Sequence, residues 1–537
     1  MDMSEMFFND IKGKVSKKMD KILGKAAFIK PILDKLKIVS IIEKETMEET
    51  TNPKNGEKMK PIEPEKVSNG VAGAILILNR LIAPKPMYEI AKWVDESTCI
   101  GDLYDLEKNC MNDDRIAKEF DIINPHIDEI WPQVISNAIA EYKIPFEILF
   151  NDITSTYFEG IYTESELIEL GYSRDQKPDK KQINLDINSN RTGAPLNYKV
   201  LSGKTADKST VVNNMEDIIK TLKQTSLNNL RPLIVGDRAM LNDKIAVAYH
   251  ERNDMDFLGT VQLTNAMKEM VSSIEDTEYK IIDTIKGNGL YKGCMKKWTF
   301  SYGGKSFTDN ILIVNSEQKL LDDAKRRARQ IKNFIEILED LKVKLNKTIY
   351  KKISRVEKRL ENLSKSNRGS KYIKTVAWQK ETGEIVLEYS IDEDKISEDK
   401  LLDGKYIIAT NRENLSAKQI VEIYKNRDIS EKDFEIIKDT LQLRPIFLHK
   451  DKRIESLIFF IMCALLVYSI LKIILLEAEI ETSVNKTLNK FDNVVVSYYE
   501  FIDGSVAKIV GDFNQTQAEI FGKLKMPFPD IYVNKST

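Results

Sequence analysis

The period of the hydrophobic pattern changes at Pro145. Before it, apolar residues recur at helical spacing. A helix from about Val71 puts Ile75, Leu78 and Ile82 on one stripe and is closed by Pro84 and Pro86. Residues 1–40 are rich in lysine and read as helical. Residues 46–66 carry Pro53, Gly56, Pro61 and Pro64 among charges and read as a loop. Helical spacing continues to about Tyr142, which predicts an α-helical N-terminal domain over residues 1–140.

After Pro145 the pattern becomes strand-like. Glu147 to Phe158 alternates and is rich in β-branched and aromatic residues, and Gln182 to Leu201 reads as two strands around an Arg191-Thr192-Gly193 turn. Leu233-Ile234-Val235 is a short buried strand ending at Gly236-Asp237, and Asp256 to Val261 is another. From about Ser272 to Asp403 the chain reads as an insertion, with strand pairs around Gly303-Gly304 and Thr382-Gly383 and a charged helical stretch between them. Tyr406 to Thr410 is a strand, and Ser416 with Gln419 fits a capping box that opens the next helix. The predicted class is α/β, a mixed sheet flanked by helices. Its core occupies residues 141–265 and 404–480, interrupted by the insertion at 266–403 and followed by a tail, 481–537, with no assigned role. The apolar run Ser456 to Leu471 has 16 uncharged residues before Lys472, short of the roughly 20 needed for a membrane span. It reads as a buried core helix, with no membrane partner.

Composition narrows the chemistry. Hydrophobic content of 42%, charged content of 31% and a net charge of −2 fit a folded protein without a global basic signature. The local picture differs, because Lys319 to Lys374 holds 18 Lys+Arg against 7 Asp+Glu. That stretch is either a solvated helical hairpin or a surface that follows a phosphate backbone. Cys99, Cys110, Cys294 and Cys463 are scattered without CxxC spacing, and the three histidines (His126, His250, His449) are far apart. Zinc sites and Ser-His-Asp triads are therefore disfavoured, and a bound metal would take carboxylates, which suits Mg²⁺ or Mn²⁺. The N-terminal Met-Asp-Met-Ser-Glu has no apolar core of a signal peptide, so a cytoplasmic location is expected.

Three acids stand out. Asp152 and Asp237 lie at strand-like positions, and Glu431 lies in a segment that reads as one helix with Tyr424, Arg427 and Lys438. At ~100° per residue those four fall within roughly 60° on the helix surface. An acid that binds metal thus stands beside cations and a phenol that bind phosphate. Two divalent ions about 3.5–4 Å apart serve phosphodiester chemistry with three carboxylates as ligands. Glu435, one turn beyond Glu431, is the competing acid.

On these residues the chain resembles DDE transposases of bacterial insertion sequences, in the group whose third acid sits in a Y-x2-R-x3-E-x6-K (YREK) signature. Tyr424, Arg427, Glu431 and Lys438 match that spacing in full; Asp152, with Thr154 and Tyr157-Phe158, resembles the first acid, and Asp237-Arg238 the second. Similar segments are Gly171-Tyr172-Ser173-Arg174-Asp175, Arg191 to Pro195, Gly203 to Asp207, and Arg444-Pro445 followed by Lys452-Arg453-Ile454. Asn79-Arg80-Leu81 and Asn112-Asp113-Asp114-Arg115 resemble the helical domain that precedes such cores. The resemblance implies an RNase H-like core that cleaves DNA at transposon ends and joins them to target DNA. It further implies that Asp152 contacts two Mg²⁺ (or Mn²⁺) ions, with Asp237 and Glu431 each completing one site. Arg427 and Lys438 would hold phosphates, with Tyr424 donating a hydrogen bond. The implied partners are double-stranded DNA (terminal inverted repeats and target) and a second copy in a synaptic homodimer. The chain departs from the pattern at Asp428, where many relatives have Trp. Alternatives are an RNase H-like nuclease that only hydrolyses and a transposase-derived DNA-binding protein without catalysis. Trp298 and Trp378 in the insertion are expected to pack in a small β core, the alternative being stacking on an unpaired base.

Overall fold

The computed structural model of the protein describes residues 15–47, 66–160, 162–172, 177–205, 207–237, 241–282, 291–443, 446, 448–527 and 529. The chain divides into two units, one made of Met1–Val235 with Asn426–Thr537, the other of Gly236–Lys425. In chain order it forms β1 (Val15–Ile22), β2 (Ile148–Tyr157), β3 (Gln182–Ser189), β4 (Pro195–Ser202) and β5 (Leu233–Gly236). Next come β6 (Asp256–Thr260), β7 (Lys280–Ile282), β8 (Tyr291–Tyr302), β9 (Lys305–Ser316), β10 (Ile373–Gln379), β11 (Ile385–Ile391) and β12 (Lys405–Thr410). The last strands are β13 (Val495–Phe501) and β14 (Val506–Val510).

In the first unit four strands run in the order β4-β3-β2-β5. β2 and β4 flank β3 antiparallel, while β2 and β5 run parallel with Phe150 opposite Val235. The sheet is therefore mixed and carries helices, consistent with the RNase H-like expectation. β3 reads Gln-Ile-Asn-Leu-Asp-Ile-Asn-Ser, an alternation that ordinarily leaves the polar face wet, yet all eight residues are buried. Its amide nitrogens find partners inside, while Gln182 Oε1 and Asn184 Oδ1 are buried without one among the described residues. Asn188 Nδ2 donates to Asn214 Oδ1 of the helix Asp207–Gln224 (2.6 Å), and Asn184 Nδ2 to the Thr205 carbonyl (3.1 Å). Asn151 Nδ2 donates to Asp186 Oδ1 (2.6 Å). Buried polar groups cost little once so paired.

Helices Asn69–Ile82, Asp113–Ile123 and Ile127–Tyr142 precede β2. The first two pack on the helix Asp451–Glu477, with which Ile127–Tyr142 is also in contact. That last helix is long and apolar enough to cross a membrane, but 83% of its most apolar window is buried inside the unit, as expected of a core helix. The N-terminal motifs serve structure here. Asn112 caps its helix by accepting from Arg115 N (2.9 Å), and Arg115 forms a buried ion pair with Glu119 (2.9 Å). Asn79 donates to the Ala83 carbonyl (3.0 Å) and accepts from Lys85 N (3.2 Å), closing the turn before Pro86.

One reading near the N-terminus is corrected: Val15–Ile22 is a strand, not a helix. The region 481–537, read without a role, contributes β13, β14 and the helix Gln515–Leu524. β1, β13 and β14 form an antiparallel sheet in which Lys18 is opposite Tyr499 and Met19 opposite Tyr498. Two lysines of this strand lie over tyrosine rings, Lys18 over Tyr499 at 5.4 Å and Lys21 over Tyr498 at 5.2 Å. Asp102 gathers Lys21, Lys508 and the Tyr498 hydroxyl. Residues 48–65, most of the expected proline-rich loop, lie outside the described residues.

In the second unit β6-β12-β9-β8-β7 form an antiparallel sheet. The two expected strand pairs form at Gly303-Gly304 and Thr382-Gly383. β9 pairs with both β8 and β12, so this hairpin is continuous with the sheet. The charged stretch is two helices, Glu317–Lys344 and Ile353–Ser366. Phe334, Leu338, Leu341 and Leu345 stand at helical spacing and close a core with Val356, Leu363, Ile373, Ile385 and Leu387. Trp378 is not in that core. Register sets Ala377 against it and turns Trp378 to the other face opposite Val386, 37% exposed.

Candidate functional site

Asp152 is the fifth residue of β2, half-buried and opposite Ile187, with its Oδ1 accepting from Ile153 N at 2.8 Å. Asp237 directly follows β5. Since Phe150 is opposite Val235, each of these acids stands two residues past a paired position on one of two neighbouring parallel strands. Glu431 is exposed on the helix Asp428–Glu435, which packs against β2.

The single helix expected for the signature is interrupted. One helix spans Ala417–Lys425, opened by the expected capping box in which Gln419 N donates to Ser416 Oγ (3.3 Å) and Ser416 N to Gln419 Oε1 (3.0 Å). Asn426 and Arg427 form a turn, where Ile429 N and Ser430 N donate three residues back, to the carbonyls of Asn426 and Arg427 (3.1 and 2.9 Å). The chain re-enters a helix at Asp428 and then widens into a π-helical turn, Ile436–Thr440, that carries Lys438. Uniform 100° spacing therefore does not hold across the four residues, because tight and wide turns replace α-helical ones. Arg427 and Glu431 remain neighbours on one turn. Tyr424 belongs to the preceding helix, where its hydroxyl is 3.2 Å from Thr260 Oγ1.

Within the second unit Asp237 and Tyr424 line one cleft of about 590 Å³. Cations reach it from four elements: Lys268, then Lys319, Arg326 and Arg327 from the long basic helix, then Lys371, then Lys405. Carboxylates hold several of them. Asp323 is shared by Lys319 and Arg326, Asp399 by Lys371 and the Tyr372 hydroxyl, and Asp403 takes Arg327 in a two-pronged contact. Asp323 is held below the usual carboxylate range, burial being outweighed by Lys319, the Gly404 amide and Arg326. Lys405 lies over the Tyr279 ring at 5.5 Å. The cations of the basic run that line the cleft beside Asp237 (Lys319, Arg326, Arg327 and Lys371) are thus each paired with a carboxylate.

Among the described residues no three His, Cys, Asp or Glu side chains stand together as a metal-binding group. The four cysteines are free and buried. Arg238, Ser173 to Asp175, Arg444 and Pro445 lie outside the described residues.

Sequence reasoning missed Asp433. It sits two residues after Glu431, is 3% exposed, and its Oδ2 accepts from Ser189 Oγ at 2.8 Å. Burial pushes its carboxyl up to about 7, against the pull of Ser189 and Lys472. The missed signal was spacing: Ser430, Asp433 and Ile437 make the inward face of this helical segment, all buried. Gly171 and Gly203 explain two other segments. Their backbones meet so closely that a Cβ on Gly171 would stand 1.9 Å from the Gly203 carbonyl oxygen.

No curated protein matches the chain. Among solved structures, "Mos1 transposase paired-end complex with left transposon end" is 8% identical over 40% of this chain and 64% of that chain, just under two thirds, with a TM-score of 0.16. At that score the likeness carries no structural argument. The family model described as "Transposase DDE domain" matches residues 169–467, which include Asp237, Tyr424, Arg427, Glu431 and Lys438 and begin after Asp152. With more than half of its 537 residues inside that match, the chain belongs to the DDE-domain transposases.

Proposed function

We propose that this protein cleaves DNA at the terminal inverted repeats of a mobile element and joins the freed 3′-OH to target DNA. The observation that carries this reading is the cleft of the second unit, where Asp237 and Tyr424 stand among cations of the basic helix. A carboxylate beside cations suits a phosphodiester, since cations can draw the phosphate backbone in beside an acid that takes part in the chemistry. Asp152, Asp237 and Glu431 are the proposed catalytic acids and metal ligands, with Tyr424, Arg427 and Lys438 on the DNA. Transposases of this family generally use divalent metal ions. An all-carboxylate donor set suits two Mg²⁺ or Mn²⁺ ions, which would polarise the phosphate and activate the attacking oxygen. Among the described residues no three-acid ligand group is assembled. The chain's own residues bind and orient the strand.

The remaining parts of the reading are a bacterial insertion sequence of the YREK group, work on nucleoid DNA in the cytoplasm, and a homodimer that pairs two ends. The helical region 1–140, the core at 141–265 and 404–480, the insertion at 266–403 and the tail 481–537 remain our proposed division. A paired-end strand-transfer assay with Mg²⁺ tests the function. Joined products are expected. Hydrolysis without joining would support a nuclease, and binding without either would support a DNA-binding descendant.

Two affinity predictions follow from the placement of cations. Arg427→Ala and Lys438→Ala should each weaken end binding and lower the slope of log K against log salt by about 1, the loss of roughly one phosphate contact. Unchanged slopes in both would return these side chains to helix packing. Lys268→Ala with Lys405→Ala should weaken binding equally for end and random duplexes, because phosphate contacts carry no sequence information. A loss confined to end duplexes would contradict backbone contact in the cleft.

A further inference from the structure

The helix that carries Glu431 rests on a turn whose own geometry is unusually constrained. Between β3 and β4, Asn190 Oδ1 accepts from Thr192 N (2.9 Å), Thr192 Oγ1 (2.8 Å) and Ala194 N (2.9 Å), while its Nδ2 donates to the Pro145 carbonyl (2.8 Å). Lys472 Nζ, from the long apolar helix, donates to the Thr192 carbonyl at 3.2 Å. The turn is thus held from three sides before the Glu431 helix meets it.

The meeting point is Gly193. Its φ of +87° is a conformation that L side chains rarely adopt. A Cβ built there would stand 2.3 Å from Asp433 Oδ1, closer than any real contact. The other oxygen, Oδ2, accepts from Ser189 Oγ at the end of β3. Asp433 is therefore clamped between the last residue of a strand and a glycine that exists only without a side chain. A short carboxylate in a helix cannot swing aside as a lysine could, so the clamp sets both the rotation and the depth of the helix against the sheet. Glu431 lies two residues earlier on that helix, exposed. A helix turned or lifted at Asp433 would carry Glu431 with it.

We propose that Asp433, Ser189 and Gly193 form a seat that positions the helix of Glu431. They would act as positioning residues for the third acid, without touching DNA. This inference rests on the transposase reading only for its catalytic consequence; the seat itself is independent of it.

The test uses the full-length protein with Gly193→Ala, Asp433→Ala and Asp433→Asn. A displacement of about 1 Å from a reacting geometry costs on the order of 100-fold in rate. Gly193→Ala and Asp433→Ala should therefore lose turnover on that scale while end binding stays within about 2-fold. Asp433→Asn keeps the size and an acceptor for Ser189 and should restore turnover to within about 5-fold of the parent, allowing for a neutral acceptor. Hydrogen exchange is read in parallel. Gly193→Ala should raise exchange in residues 428–435 and leave β2 and β3 protected. Wild-type turnover in Gly193→Ala, or binding and turnover falling together, would overturn the positioning role. Unchanged exchange in 428–435 would overturn the seat. Were the parent protein itself inactive on DNA, the transposase reading would fail, and the exchange result would still decide the seat.

Discussion

Asp152→Asn, Asp237→Asn and Glu431→Gln should each lose Mg²⁺-dependent cleavage of a transposon-end duplex while still binding it. Each change removes the charge of a proposed ligand and almost no volume, so the fold has little cause to respond. Changes to groups that merely orient a metal ligand cost about 10–100-fold. Loss of a ligand itself should cost on the order of 1,000-fold or more. Binding should hold or tighten slightly, because a negative charge near phosphates is gone. Glu435→Gln is the control. It is the last residue of the same short helix and is also exposed, so substitution should leave cleavage nearly unchanged. Replacing Mg²⁺ by Mn²⁺ should not rescue Glu431→Gln. Near-normal cleavage by any of the three acid variants would remove that residue from the site, and an inactive Glu435→Gln would shift the signature by one turn.

Arg327→Ala should destabilise the second unit by about 3–5 kcal/mol, the usual result of leaving one member of a buried ion pair alone. The Arg327 and Asp403 side chains are only 9% and 12% exposed, and Nη1 and Nη2 of Arg327 each donate to one carboxylate oxygen. The pair ties the basic helix to the chain just before β12. Lys325 and Arg329, exposed on the same helix, should shift stability by less than about 0.5 kcal/mol when changed to Ala and should instead weaken DNA binding. Replacing the pair together, Arg327→Met with Asp403→Leu, should recover much of the loss, since an apolar pair avoids the unpaired charge. Urea unfolding of the four variants distinguishes these outcomes. An Arg327→Ala protein as stable as Lys325→Ala would show that the pair contributes little.

Strands and the long core helix were legible because their patterns are local. Glu147 to Phe158, the Arg191-Thr192-Gly193 turn and Tyr406 to Thr410 each announce themselves within a dozen residues, and each formed. β1 was not legible. Its lysine-rich stretch reads as helical until tyrosines nearly five hundred residues later supply ring faces and an opposite strand. The signature region was half legible. Its spacing is in the sequence, but the turn at Asn426-Arg427 and the π turn depend on tertiary packing that no periodicity reports. Counting positive charges likewise could not separate Arg327, which is structural, from Lys325, which is exposed. Asp433 escaped because an acid on an inward face looks like a surface residue until its partner, more than two hundred positions away, is known.

The pairing of β1 with β13 places a timing constraint on synthesis. Val15 is opposite Phe501, so β1 leaves the ribosome hundreds of residues before the strand it pairs with. At about 5–20 residues per second that wait is roughly half a minute to a minute and a half. For that interval an unpaired strand edge is available to any other chain. Lys17, Lys18 and Lys21 punctuate it with charge, the usual means by which an edge is kept from pairing with strangers. Two of them, Lys18 and Lys21, which later lie over tyrosine rings, would first serve to keep the nascent chain alone.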